Sequence, residues 1–329
     1  MLTLDNITRT FGELRALDSV SFDVAPGRLT GFVGGNGAGK TTTMRIVLGV
    51  LAADSGTVLL DGKPLGPVAR RTIGYMPEER GLYPKMKVVD QLVHLARLHG
   101  YDRAAARRNA SELVESLGLA ARADEPLEKL SLGNQQRVQI AAALVHDPEV
   151  LILDEPFSGL DPIAVDTVVR TLADKAASGV PVLFSSHQLD VVERLCDDVV
   201  IIAGGRIQAA GTREGLRDEF GGTRYEIATG GDIGWLRGVP GVEVEDFTGG
   251  DAVFSATTDV AQRVLADAIS RSSVTQFGML RPTLAEIFRE IVADRDTSGD
   301  AEGAADAAST AEPATDRPTT PAQEQELAR

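Results

Sequence analysis

The sequence predicts an α/β fold carrying a helical insertion, followed by a small α+β unit and an acidic tail. Three observations carry that expectation. Over residues 1 to about 215, short β-rich runs alternate with longer helical patterns, as strands joined by helical crossovers do. From Val88 to His146 the strand signal nearly vanishes and Ala, Leu, Arg and Glu dominate, which reads as a helical insertion between two strands. Past Gly221-Gly222 the texture changes to short apolar runs punctuated by glycine pairs. The expected domains are therefore 1–215, 223–293 and a tail over 294–329.

Taken in order, the first unit has strand candidates at Leu29–Val33, Thr57–Leu60, Val150–Leu153, Val182–Ser185 and Val199–Ile202. A helical run over Thr42–Leu51 follows the first of them. In the second unit, Tyr225–Ala228, Val242–Phe247 and Ala252–Ser255 read as an antiparallel meander. An amphipathic helix over Asp259–Ile269, a last strand near Val274–Leu280 and a final helix from Pro282-Thr283-Leu284 through Val292 complete it. The tail, Asp294 to Arg329, has nine acidic and three basic residues, one leucine and no aromatic residue. Such a segment cannot offset the entropy of ordering its backbone and is expected to stay solvated.

Composition removes several function classes. The 329 residues hold 33 Lys and Arg against 48 Asp and Glu, a net charge of −15, which argues against coating DNA or RNA. The single cysteine, Cys196, permits no intrachain disulfide and no all-cysteine metal cluster, and is expected to be a small packing residue. No apolar stretch approaches the roughly 18 residues of a membrane span, and the first residues lack the layout of a signal peptide. His94, His99 and His146 show no metal-ligand spacing.

Chemistry concentrates in two places. Gly34-Gly35-Asn36-Gly37-Ala38-Gly39-Lys40-Thr41 fits G-x-x-x-x-G-K-[ST] without a mismatch, between a strand candidate and the helical run that opens at Thr42. Glycines let backbone N–H groups converge on phosphate oxygens, and a helix N-terminus adds its positive end. Lys40 would reach the β- and γ-phosphates and the Thr41 hydroxyl would ligate Mg²⁺. Further on, the apolar run Val150–Leu153 ends abruptly in Asp154-Glu155. Asp154 suits the Mg²⁺-proximal acid of such a site, and Glu155, on the opposite face, suits polarising an attacking water.

With those motifs placed, residues 1–215 resemble the ATP-binding subunit of an ABC transporter. Leu130-Ser131-Leu132-Gly133-Asn134-Gln135-Gln136-Arg137 is similar to the family's LSGGQ element: Ser131 and Gly133 are kept, while Leu132 and Asn134 replace Gly and Gln. On its own Ser131 is a helix cap whose helix presents N–H groups to an anion. The resemblance implies that this anion is the γ-phosphate held by an opposite subunit. It also implies that Ser158-Gly159-Leu160-Asp161 is the D-loop, with Asp161 in coupling, and that His187 after Ser185-Ser186 contacts the γ-phosphate. Phe11 lies where the family stacks an aromatic ring on adenine; a core phenylalanine is the alternative. Glu78 stands where the family usually has Gln. It can only accept hydrogen bonds when ionised, and could still ligate Mg²⁺. The run Glu78–Pro84 resembles ATPases of ABC-2-type exporters, and Leu280–Phe288 resembles the closing helix of an accessory domain of drug- and sodium-export ATPases.

What the resemblance implies is an ATP-hydrolysing subunit, peripheral on the cytoplasmic side of the cell membrane. It would bind ATP and Mg²⁺ and pair with a second copy or a homologous ATPase subunit beneath a separately encoded permease. The competing expectation is a soluble ABC ATPase acting on ribosomes or DNA. One P-loop and an insertion of roughly 60 residues fit neither a two-cassette factor nor a long coiled coil. The element at 130–136 disfavours P-loop kinases and GTPases.

Overall fold

A computed structural model describes residues 1–79, 81–220 and 223–291. The chain opens with two long strands, β1 (Leu2–Phe11) and β2 (Leu14–Val24). Then come β3 (Leu29–Val33), α1 (Lys40–Val47), β4 (Ser55–Leu60), the two-residue β5 (Lys63–Pro64) and β6 (Ile73–Met76). The insertion supplies α2 (Val88–Leu98), α3 (Arg103–Ser116) and α4 (Leu132–Leu144). The remainder of the first unit is β7 (Val150–Leu153), α5 (Pro162–Ala177), β8 (Val182–Ser186), α6 (Leu189–Leu195), β9 (Asp198–Ala203), β10 (Arg206–Thr212) and α7 (Arg213–Phe220).

Two sheets share one core. The six-stranded sheet runs β10-β9-β3-β8-β7-β6, parallel except for β10. Its central strands are buried on both faces, so β3, β7 and β8 are continuous apolar runs rather than alternating ones. The second sheet, β2-β1-β4-β5, is antiparallel. Leu2, Leu4, Ile7, Leu17, Val20 and Phe22 from it meet Phe32, Met44, Ile152, Leu183 and Ile202, with α1 in the same apolar cluster.

This second sheet corrects the sequence reading, which placed Thr57–Leu60 in one alternating series and found no strand before residue 29. The pattern of β1 and β2 is broken by irregularities: Asn6 and Ser19 have φ of 52° and 53°, and the register slips between Leu4 and Ile7. Burial therefore runs Leu2, Leu4, Ile7 and Leu17, Val20, Phe22, and the period of two is lost. Helix α1 also starts two residues before the expected Thr42 and stops short of Leu51, because the chain turns left-handed at Gly49 (φ 73°).

The helical insertion lies between β6 and β7, which are parallel neighbours. Beyond residue 222 come β11 (Arg224–Thr229), β12 (Glu243–Thr248), β13 (Asp251–Ser255), α8 (Thr258–Arg271) and β14 (Val274–Met279), then a helix over residues 284–291. The strands fall where expected, but they are not a meander: the order is β12-β13-β11-β14. Only β12 and β13 form a hairpin, across Gly249-Gly250. The β11–β12 connection instead crosses over through a 3-10 turn at Gly234–Gly238, burying Ile233 and Leu236. Helix α8 covers one face of this sheet through Val260, Ala261, Val264 and Ala268. Gly221-Gly222, Arg80, the end of the last helix at Val292 and the acidic tail lie outside the described residues.

Candidate functional site

The loop Gly34–Gly39 leaves the C-terminal end of β3, and α1 begins at once with Lys40. Gly39 has φ 111°, and a Cβ there would lie 2.6 Å from Leu17 Cδ2 and 3.0 Å from the Ala16 carbonyl, so no other residue fits. No side chain caps α1, which leaves its first amides for an external anion. Lys40 Nζ donates to the carbonyls of Gly34 (2.5 Å) and Gly35 (3.1 Å). Burial pulls the Lys40 pKa below its usual value, while the carboxylates of Glu155, Asp154 and Glu78 pull it back up.

Strand β7, two places away in the sheet, ends against this loop. Asp154 is 1% exposed; its Oδ2 accepts from Thr41 Oγ1 (3.1 Å) and its Oδ1 from Ser185 Oγ. The Ser185 hydroxyl also accepts from the Glu155 backbone N–H at 2.9 Å. One hydroxyl of β8 therefore holds both acids. Glu155 sits at φ 51°, a left-handed conformation rare for such a residue, which turns its carboxylate away from Asp154's direction. Its Oε1 lies 2.9 Å from His187 Nδ1, and its side chain is only 11% exposed against 57% for His187. Burial raises the Glu155 pKa; His187 and Lys40 oppose that rise, and Asp154 adds to it.

These groups line one cleft of about 650 Å³, together with Phe11, Gly35, Asn36, Gly37, Ala38, Gly39, Thr42 and Glu78. Phe11 is 45% exposed at the cleft mouth, with the Arg9 guanidinium 4.8 Å from its ring centroid, so it is not a core residue. Leu14 and Ala16 also line the cleft and were not expected. Gly34 contributes its carbonyl to Lys40 rather than lining the space.

Besides Gly34, four expected residues are not in this cleft: Ser131, Gly133, Asn134 and Asp161. Ser131 caps α4 by accepting from Asn134 N (3.4 Å), and Asp161 caps α5 by accepting from Ala164 N (2.8 Å). The two helix starts are neighbours, since a Cβ on Gly133 would come within 3.3 Å of the Gly159 carbonyl. Asn134 Oδ1 accepts from Arg137, whose guanidinium also donates to the Leu117 carbonyl (2.8 Å).

Sequence reasoning missed three supporting side chains. Ser185 was read only as a neighbour of His187. Gln136 donates to the carbonyls of Glu155 (3.0 Å) and Pro156 (3.2 Å), and Gln139 donates to that of Glu79 (3.2 Å) with Pro77 O at 3.5 Å. The available signal was two glutamines in a helix whose other inward positions, Val138, Ile140 and Ala141, are apolar. Cys196 is buried, as expected, and burial pushes its thiol pKa far up. His146 lies two residues past the end of α4 and stacks on His99. Among the described residues, no group of three or more His, Cys, Asp or Glu could hold a metal on side chains alone, and no helix is long and apolar enough to cross a membrane.

The loop, lysine and acid pair suit a nucleoside triphosphate, and comparison with known proteins identifies the family of the chain. The family model for ABC transporters matches residues 17–158, and that for the C-terminal domain of DrrA1-3-like ATP-binding proteins matches residues 211–292. An uncharacterized ABC transporter ATP-binding protein of Bacillus subtilis, YhaQ, is 38% identical over 293 residues, covering 89% of this chain and 98% of its own length. The linearmycin resistance ATP-binding protein LnrL of the same organism is 35% identical, covering 68% and 72%. The Nod factor export ATP-binding protein I of Paraburkholderia xenovorans is 38% identical, covering 65% and 72%. A solved ATP-binding subunit of an ABC transporter superposes with a TM-score of 0.62 at 32% identity, covering 67% of this chain and 93% of that one. The chain belongs to the ABC transporter ATP-binding proteins, and it is an ATPase of that family.

Proposed function

We propose that this ATPase drives an exporter: two copies, or one copy and a homologous subunit, close head to tail over two ATP molecules beneath a separately encoded permease. The observation that carries the reading is the separation of Ser131 from the cleft. The cleft supplies the phosphate loop, Lys40, Thr41, Asp154, Glu155 and His187, yet the capped helix start at Ser131 and the Asp161 loop lie elsewhere on the subunit. A second copy turned head to tail brings that helix start to the open side of the nucleotide. Export is supported by the likeness to a linearmycin resistance ATP-binding protein and a Nod factor export ATP-binding protein. The site lies in a cassette over 1–215, with an accessory domain over 223–293.

In this reading the Gly35–Gly39 amides and Lys40 hold the triphosphate, and Phe11 stacks on the base for roughly 1 kcal/mol. Thr41 and Asp154 present a hydroxyl and a carboxylate side by side (3.1 Å), a donor set that suits Mg²⁺, with Glu78 facing the same cleft. Mg²⁺ held there would offset triphosphate charge. Glu155 takes a proton from water as the water oxygen attacks the γ-phosphorus and ADP leaves. His187 holds the Glu155 carboxylate and meets the γ-phosphate. The phosphate leaving the helix start at Ser131 lets the pair open.

The test is co-purification of the full chain from a membrane extract of its host. The reading expects recovery with a polytopic membrane protein. Recovery with ribosomes, and never with such a protein, would overturn it in favour of a soluble ABC ATPase.

A further inference from the structure

Helix α4, capped by Ser131, grips the backbone of two segments that line its own subunit's cleft through two glutamines. Gln136 and Gln139 are three residues apart, hence on one face of the helix, and each is 4% exposed. Gln136 holds the backbone at Glu155 and Pro156. Gln139 holds the backbone on both sides of Glu78, through the Glu79 carbonyl at 3.2 Å and the Pro77 carbonyl at 3.5 Å. Its own Oε1 has no partner among the described residues. An apolar side chain of equal length would avoid that unsatisfied acceptor, so what the amide contributes is its donor, aimed at the loop. The bonds are long and therefore easily adjusted.

The helix is seated rigidly where this happens. A Cβ on Gly74 of β6 would fall 2.3 Å from the Ala143 carbonyl, so the second half of α4 rests on the strand that leads into the Glu78 loop. Ser131 and Gln139 are eight residues apart, about 12 Å along one rod. A push on the Ser131 end has a fulcrum and a grip.

We propose that Gln139 is a positioning residue: it fixes Glu78 from α4, so that docking of the Ser131 end on the other copy's nucleotide is transmitted to Glu78 in the subunit's own cleft. This rests on the head-to-tail reading above. It ties each site's geometry to occupation of the other, through a residue that touches neither nucleotide.

The experiment is hydrogen exchange at the Glu78 and Glu79 amides in the full-length Glu155→Gln chain, with and without saturating Mg²⁺-ATP. Gln139→Met, which keeps the length but removes the donor, is compared in the same background, with Gln139→Ala as a second variant should methionine disturb packing. In the parent, dimerisation is expected to slow exchange at these amides. In the Gln139 variants dimers still form, but that gain is expected to fall by about tenfold. A double-mutant cycle on turnover in the chain that keeps Glu155 gives an independent readout: the Gln139→Met loss should vanish in a Glu78→Ala background. Equal protection in variant and parent overturns the inference alone, as do additive turnover losses or a variant that binds ATP but no longer dimerises. A parent that itself stays monomeric removes the head-to-tail reading and this inference with it.

Discussion

Lys40, Asp154 and Glu155 show how three charges are kept close without neutralising the site. The lysine is desolvated, which lowers its pKa, while the carboxylates around it oppose that loss. Replacing it with alanine removes a cation from the cleft floor, and ATP affinity is expected to fall at least about 100-fold, or roughly 2.7 kcal/mol, by equilibrium binding. Unchanged affinity would remove the phosphate-loop assignment. Glu155 must be ionised to accept a proton, and burial raises its pKa. The acid limb of the turnover profile should therefore lie above the ordinary glutamate range. His187 opposes that rise, so His187→Ala should move the limb further upward in kcat–pH profiles. A limb that stays in place or moves down would separate His187 from Glu155. The positive φ of Glu155 and the shared Ser185 hydroxyl could not be foreseen from Val150–Pro156, because they depend on β8 lying beside β7.

Among the elements, legibility followed burial. Strands β3, β7, β8 and β9 were readable because a parallel sheet covered on both faces writes an unbroken apolar run. Strands β1 and β2 were not, since their bulges shift the alternation; the freed amides are taken by hydroxyls, Asn6 N by Ser21 Oγ and Ser19 N by Thr8 Oγ1. The antiparallel C-terminal strands were placed within one or two residues, while their order was not, because a long connection and a hairpin look alike in sequence. Helix α4 ends in a second unforeseen feature. The His146 ring is buried 3.8 Å from that of His99, with Nε2 3.3 Å from the Ile73 carbonyl. Burial, then the His99 charge, lowers its pKa to about 4 from 6.5. The unfolded chain thus binds the extra proton between those values, so stability is full above pH 6.5 and is lost as pH falls towards 4. The shift corresponds to about 3 kcal/mol. Urea titrations at pH 7 and 4.5 should show His146→Gln losing about 2.4 kcal/mol less than the parent on acidification, the part of the shift that this window spans; an identical loss would exclude His146 as the source.

For the whole molecule, the cleft was legible nearly residue by residue, because a phosphate-binding loop is a local motif and Asp154-Glu155 ends an unmistakable strand. Its supports were not, since Ser185, Gln136 and Gln139 act through contacts formed only when distant segments fold together. The physical claim that joins the parts is that one subunit holds the triphosphate and another's α4 closes over it. The most direct measurement is the mass of the Glu155→Gln chain by sedimentation or light scattering, with saturating Mg²⁺-ATP and then with Mg²⁺-ADP. A dimer with ATP and a monomer with ADP is the expected result; a monomer in both would contradict the shared-nucleotide account.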